Sequence, residues 1–152
     1  MKQVHAPYDF DAVHALLVSA FAYMEGRIDP PSSLGRMTPA TIADEAAAKE
    51  LWVIEDAGTP IACMILTAKP DTLYLGKLAV DATRRGQGLA RRMIEHAVTR
   101  ARDLGLPSVT LQTRIELVEN HATFRAMGFV QTDATRHEGY DRPTSLTFTR
   151  PV

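Results

Sequence analysis

Two glycines spaced two apart, Gly86 and Gly88, follow a pair of arginines, Arg84 and Arg85, and stand just before a long run of helical spacing. Those residue types in that order suit the holding of an anion. The first turn of a helix leaves backbone N–H groups without partners, and the aligned peptide dipoles add partial positive charge there. A phosphate satisfies both. Glycine lets the backbone approach the ligand and adopt dihedrals closed to other residues, and the arginines put charge at the mouth. Residues 85–90 therefore read as a candidate phosphate or pyrophosphate cradle. On spacing alone, an ordinary strand-to-helix turn with two glycines stays open, because short glycine patterns are weak signals.

The elements that would position the cradle lie on either side of it. Leu73–Val80 is an apolar run of strand length, and Asp81–Gly88 is a short polar loop. Leu89, Met93, Ile94, Ala97, Val98, Ala101 and Leu104 recur in steps of three and four, which puts them on one helical face. Arg91, Arg92, Glu95, Arg100, Arg102 and Asp103 fall largely elsewhere. Two familiar phosphate motifs do not fit. The triphosphate pattern ends in Gly-Lys-Ser or Gly-Lys-Thr, whereas Leu89 and Ala90 follow Gly88. The dinucleotide pattern needs a third glycine where Arg91 stands.

What fits is Arg85-x-x-Gly88-x-Ala90. It resembles the acetyl-coenzyme A loop of the GNAT N-acetyltransferase superfamily, and the preceding LAVDATRRG is similar to the strand and loop that lead into it there. A second stretch, Asn120-x-x-x-Phe124-x-x-x-Gly128-Phe129, resembles a later motif of that family, in which Asn or a similar residue and a Tyr line the cofactor thiol and Gly-Phe closes a helix. Read as residues alone, Phe124 and Phe129 also suit the core side of a short helix.

The resemblance implies acetyl-CoA as co-substrate and no metal. Backbone amides of Arg85, Gly86, Gln87, Gly88, Leu89 and Ala90 would hold the pyrophosphate. Leu78, Ala79 and Val80 would pair their backbone with the pantetheine arm, and their strand would splay from Ser108–Thr113 to open a V-shaped slot. Asn120 and Phe124 would face the pantetheine, and Arg125 would reach the nucleotide end. The implied reaction is acetyl transfer to an amine of a small molecule or peptide, by direct attack in a ternary complex. It requires a base to free the amine of its proton and a donor for the developing oxyanion, for which the N–H of Ala79 or Val80 is a candidate. It also calls for an acid at the departing thiolate.

The chain departs from the commoner family pattern at the catalytic groups. The usual acid tyrosine is Phe124, and no carboxylate stands between Leu73 and Val80. The candidates are His137 and Tyr140 in the loop RHEGYDRP, Glu25 near the end of the first helix, and Tyr74. Tyr23–Ser33 would shape acceptor choice, with Arg27 either favouring an acidic acceptor or pairing with Glu25 or Asp29. A non-catalytic acyl-CoA-binding or regulatory domain is the alternative.

The rest of the chain agrees with one domain over residues 1–152. At 45% hydrophobic and 23% charged residues, the composition is globular. A chain of this length can bury about 68–70% of its unfolded surface. Net charge is −1, which argues against bulk attraction to nucleic acid or membrane. No histidine pair or Cys–His spacing suggests zinc. Cys63 sits in an apolar run and reads as a small buried hydrophobe. No signal-peptide pattern or spanning segment is evident, so a cytoplasmic protein is expected. Monomer and homodimer both stay open.

Punctuation by capping and turn residues predicts the order β-α-α-β-β-β-α-β-α-β-β. The strands are Lys2–His5, Leu51–Glu55, Ile61–Ala68, Leu73–Val80, Ser108–Thr113, Phe129–Thr132 and Ser145–Thr149. The helices run from Asp9 or Asp11 to about Tyr23, from Pro39 to about Lys49, over Leu89–Leu104, and over Glu119–Met127. Gly26–Pro39 is a long turn-rich loop of the kind that carries function. The resemblance implies a GNAT fold of the α/β (α+β) class. Its central sheet would be mixed, mostly antiparallel and of about six to seven strands, flanked by about four helices around a β-α-β core.

Overall fold

Local capping chemistry starts the first two helices. In the computed structural model, which describes residues 1–152, the Asp9 side chain accepts a hydrogen bond from the Ala12 N–H at 3.0 Å and opens α1 (Phe10–Ala20). Thr38 and Thr41 exchange side-chain and backbone bonds in a capping box, and Pro39 occupies the first turn of α2 (Pro39–Ala48). α3 (Leu89–Asp103) and α4 (Val118–Ala126) have no side-chain cap. α1 is shorter than its apolar spacing suggests. The chain leaves it at Phe21 and passes through a 3-10 turn, Ala22–Met24, towards Gly26, which takes φ +73°.

The strands are β1 (Lys2–Gln3), β2 (Glu50–Asp56), β3 (Thr59–Ala68), β4 (Leu73–Val80), β5 (Ser108–Arg114), β6 (Val130–Thr135) and β7 (Ser145–Pro151). They form one sheet in the order β1-β2-β3-β4-β5-β7-β6. Every neighbouring pair is antiparallel except β4 and β5, which α3 joins as a crossover. The expected mixed, mostly antiparallel sheet with four helices is therefore present.

Each face of the sheet has its own core. On one face, Met93, Ile94, Ala97 and Val98 of α3 pack on Met64, Leu66, Leu73 and Leu75, with Leu111, Phe129 and Phe148 beside them. On the other face, Val13 and Leu17 of α1 and Ile42 of α2 pack on Val53, Cys63 and Ile65. Fully buried side chains of this size contribute roughly 1.5–3 kcal/mol each. Cys63 is one of them, and burial pushes its thiol up to about 12, so it acts as a packed apolar group.

β4 does not alternate regularly. Leu73 and Leu75 face the α3 core, but so do Leu78 and Val80, while Ala79 faces α1 and α2. The register shows why. Cys63 of β3 pairs with Ala79, but Ile65 pairs with Gly76, so β4 carries an extra residue there. Lys77 lies in this bulge with φ +51°, a conformation uncommon for a residue with a side chain. The bulge reverses the faces of the strand halfway along it.

Candidate active site

β4 and β5 pair only at Leu73 with Val109 and Tyr74 with Thr110. Beyond Tyr74 the strands separate, and the edge of β4 facing β5 is left without a partner strand from Leu75 to Val80. A cleft of about 380 Å³ fills the gap, bounded by Leu75 and Leu78 of β4 and by Leu111 and Thr113 of β5. A second cavity of about 390 Å³ lies towards α2, lined by Thr41, Glu45 and Ile65. Both touch Tyr74, Gly76 and Lys77, so the bulge is where the two spaces meet. An isolated glycine inside a strand pattern was the one sequence signal of this bulge.

The glycine loop sits just past the end of β4. Asp81 accepts from the Thr83 N–H and hydroxyl and starts a 3-10 turn, Ala82–Arg84. Gly86 and Gly88 then take φ +80° and +77°. The N–H groups of Leu89, Ala90 and Arg91 find no protein acceptor. A Cβ built on Gly86 or Gly88 would meet nothing within 4 Å, so the loop is open on its ligand side. An uncapped, unobstructed helix start of this kind suits a pyrophosphate. Arg84 is not available for it, because its guanidinium is held by Asp56. Arg85 donates to the Ala20 carbonyl at 3.4 Å and lies 5.9 Å from the Tyr23 ring centroid. Gln87 is exposed.

α4 closes the far wall. Asn120 lines the cleft and donates to the Tyr23 hydroxyl at 3.0 Å. Phe124 also lines it, and packs edge-on against Phe129 at 6.1 Å, so it is at once core and wall. Arg125 is exposed, with its guanidinium 5.3 Å from the Phe148 ring centroid. The loop between α1 and α2 is strapped across the top. Arg27 binds Glu119 and the Glu116 carbonyl, which differs from the expected pairing with Glu25 or Asp29. The Asp29 N–H donates to Glu116, while the Asp29 carboxylate accepts from Tyr140 and Arg142. Arg114 donates to the carbonyls of Pro30 and Pro31.

The catalytic candidates separate by position. His137 lines the cleft. Its backbone N–H donates to the Thr144 hydroxyl at 2.9 Å, and its Nδ1 is bonded to that same hydroxyl. Burial first, then the nearby Arg114, lowers its pKa, so it is neutral near pH 7. Tyr74 also lines the cleft, and burial raises its pKa, so its hydroxyl keeps its proton. Tyr140 does not line the cleft; its hydroxyl donates to Asp29 at 2.6 Å, which raises its pKa. Glu25 is exposed and lines neither cavity, although its neighbour Met24 lines the cleft.

Three groups that motif reading passed over are part of the site. The Thr113 hydroxyl lines the cleft on a residue only 8% exposed and has no partner; leaving such a group unpaired costs roughly 1–3 kcal/mol. Arg36 lines both cavities. Lys77 also lines both, its Nζ 2.8 Å from the Ser33 hydroxyl, and burial ahead of the Arg114 charge lowers its pKa. No sequence pattern marks these residues, because their meeting depends on the bulge and on the strapped loop. No group of three or more His, Cys, Asp or Glu side chains converges here or elsewhere, and no helix is long and apolar enough to cross a membrane.

Comparison with known proteins places this geometry. The peptidyl-lysine N-acetyltransferase YjaB of Salmonella typhimurium is 26% identical over 106 residues, covering 69% of this chain and 67% of that protein. The ribosomal-protein-S18-alanine N-acetyltransferase of Escherichia coli superposes with a TM-score of 0.72 at 19% identity, covering 99% of this chain and 91% of that one. A GNAT family acetyltransferase of Elizabethkingia anophelis with acetyl-CoA bound gives 0.71 at 17% identity, covering 99% and 96%. The Acetyltransferase (GNAT) family matches residues 10–129. With the open helix start, the parted strands and this match in hand, the chain belongs to the GNAT family and is an acetyl-CoA-dependent acetyltransferase.

Proposed function

We propose that this acetyltransferase moves the acetyl group to an amine of a small molecule or peptide by direct attack in a ternary complex, in the cytoplasm. The observation that carries the reading is the parting of β4 from β5 after Tyr74. It lets two substrates reach one strand, one from the α4 side and one from the α2 side.

Acetyl-CoA supplies the acetyl group as an activated thioester. The free N–H groups of Leu89, Ala90 and Arg91, with the backbone of Arg85, Gly86, Gln87 and Gly88, hold its pyrophosphate. The unpaired edge of β4 at Leu78, Ala79 and Val80 takes the pantetheine arm as an added strand. Asn120 and Phe124 form its wall, and Arg125 serves the nucleotide end. The N–H of Ala79 or Val80, next to the bulge, is the donor for the carbonyl oxygen where negative charge develops.

His137 accepts the proton that the amine must lose, directly or through one water. Its lowered pKa keeps it in the basic form at neutral pH. Tyr74 donates to the departing sulfur. Tyr140 holds the acceptor-side loop through Asp29 rather than moving a proton. Acetyl-CoA incubated with a panel of amines, with release of free thiol as the readout, tests the reading. Turnover above hydrolysis with at least one amine is expected. Binding of CoA with no turnover on any amine would reduce the site to acyl-CoA binding.

A further inference from the structure

The charged residues lining the cleft are Arg36, Lys77 and Arg114, with no carboxylate among them. The second cavity shares Arg36 and Lys77 and adds Glu45 and Lys49, which neutralise each other at 2.7 Å. None of the three cations is in an ion pair. Lys77 meets only the Ser33 hydroxyl, and Arg114 meets only the carbonyls of Pro30 and Pro31. No side-chain hydrogen bond engages Arg36. Glu116 and Asp29, whose charges act on Arg114, do not line the cleft. Asp29 is paired with Arg142 and accepts from Tyr140, while one Glu116 oxygen accepts from the Asp29 N–H and the other is buried without a partner.

We propose that the acceptor is a free amino acid, and that Arg36, Lys77 and Arg114 receive the carboxylate beside its amine. This rests on the acetyl-transfer reading above. Three unpaired cations around a partly dehydrated cavity favour an anion and repel a bare ammonium. A carboxylate next to the amine offsets that repulsion. The remaining positive field disfavours the ammonium form, which helps the amine reach the neutral state it needs for attack. Acetyl-CoA does not account for the cations, since its phosphates have their own site at the start of α3, beyond the end of β4. The strapped loop argues for a small acceptor. Arg27–Glu119, Tyr140–Asp29 and the Arg114 bonds to Pro30 and Pro31 tie down the loop that walls the cleft, which favours a short acceptor over an extended peptide.

The test uses matched sets: phenylalanine, phenylalanine amide and phenethylamine, and the same set built on methionine. The acid is expected to exceed the amide and the decarboxylated amine by at least roughly tenfold in kcat/KM. Arg36→Gln and Lys77→Gln should each shrink that ratio several-fold through KM, and Arg36→Lys should restore part of it. A CoA-induced rise in melting temperature checks that the variants fold and keep the cradle. A readout without turnover is the further rise given by N-acetylphenylalanine, against its amide, with CoA present; the acid should act, and Arg36→Gln should abolish its effect. Equal use of acid and amide, equal melting shifts, an unchanged ratio in both glutamine variants, or preference for a peptide N-terminus would overturn the proposal. Absence of turnover with every amine, alongside a carboxylate-dependent melting shift, would instead sink the acetyl-transfer reading and leave the anion site standing.

Discussion

Arg27 and Glu119 lie 92 positions apart and meet in a forked ion pair, Nη1 to Oε1 at 2.6 Å and Nη2 to Oε2 at 3.0 Å. The pair ties the loop between α1 and α2 to the first turn of α4, over the split between β4 and β5. Arg27 pulls the Glu119 carboxyl down to about 2. A carboxylate lowered in this way contributes above its ordinary value of about 4.3, and the contribution is lost as pH falls from there towards about 2. Both partners are exposed, so the pair orders the loop without adding much to global stability. Arg27→Ala should speed amide hydrogen exchange in residues 26–36 while exchange in α3 stays unchanged. Equal protection in parent and variant would show that the other straps suffice.

The start of α3 should fail if its open side is blocked. Saturating acetyl-CoA at about one hundred times its dissociation constant should stabilise the parent by roughly 2.7 kcal/mol. Gly88→Val adds a branched side chain at φ +77°, on the side where nothing now lies within 4 Å. Most of the melting shift should disappear. A full shift in the variant would move the pyrophosphate elsewhere.

The proton acceptor can be read from the pH profile. Burial and Arg114 lower the pKa of His137, so the acidic limb of kcat/KM should have its midpoint below the ordinary histidine value of about 6.5. His137→Ala should lower turnover about a hundredfold and remove that limb. Tyr140→Phe, which leaves Asp29 with Arg142 alone, should act on the acceptor KM and leave the limb in place. A limb that survives in His137→Ala would assign the base to another group.

Gly76 lets the Tyr74 ring lie across the bulge, and a Cβ there would meet Tyr74 Cε1 at 3.3 Å. Gly76→Ala should displace the ring and lower kcat, while the CoA-induced melting shift persists. A parent-like kcat would remove Tyr74 from the proton path.

Phe124 gives the cleft a hydrocarbon wall. Phe124→Leu loses an edge-on aromatic pair with Phe129, worth about 1 kcal/mol of stability. It should weaken acetyl-CoA binding more than it alters the pH profile. Loss of a pH limb in this variant would mean that the thiol end of the site lies elsewhere.

What the sequence determined by itself is the part of the protein governed by neighbours in the chain. The apolar spacing of Leu89 to Ala101 needs only helical geometry, and those residues are the buried face of α3. Thr38 with Pro39, and Asp9, act within one turn and start α2 and α1 where their chemistry indicates. The strand–loop–helix unit from Leu73 to Asp103 was legible because each of its signals is local. The tertiary structure decided the rest. Lys77 enters the cleft because β4 takes an extra residue against β3 between Cys63 and Ile65, and a register is a property of two strands rather than one. Arg84 is lost to Asp56, and Arg27 is claimed by Glu119, because the fold brings together charges far apart in sequence. The surplus of positive charge around the cleft has the same origin. It depends on which carboxylates pack elsewhere, and spacing along the chain holds no record of that.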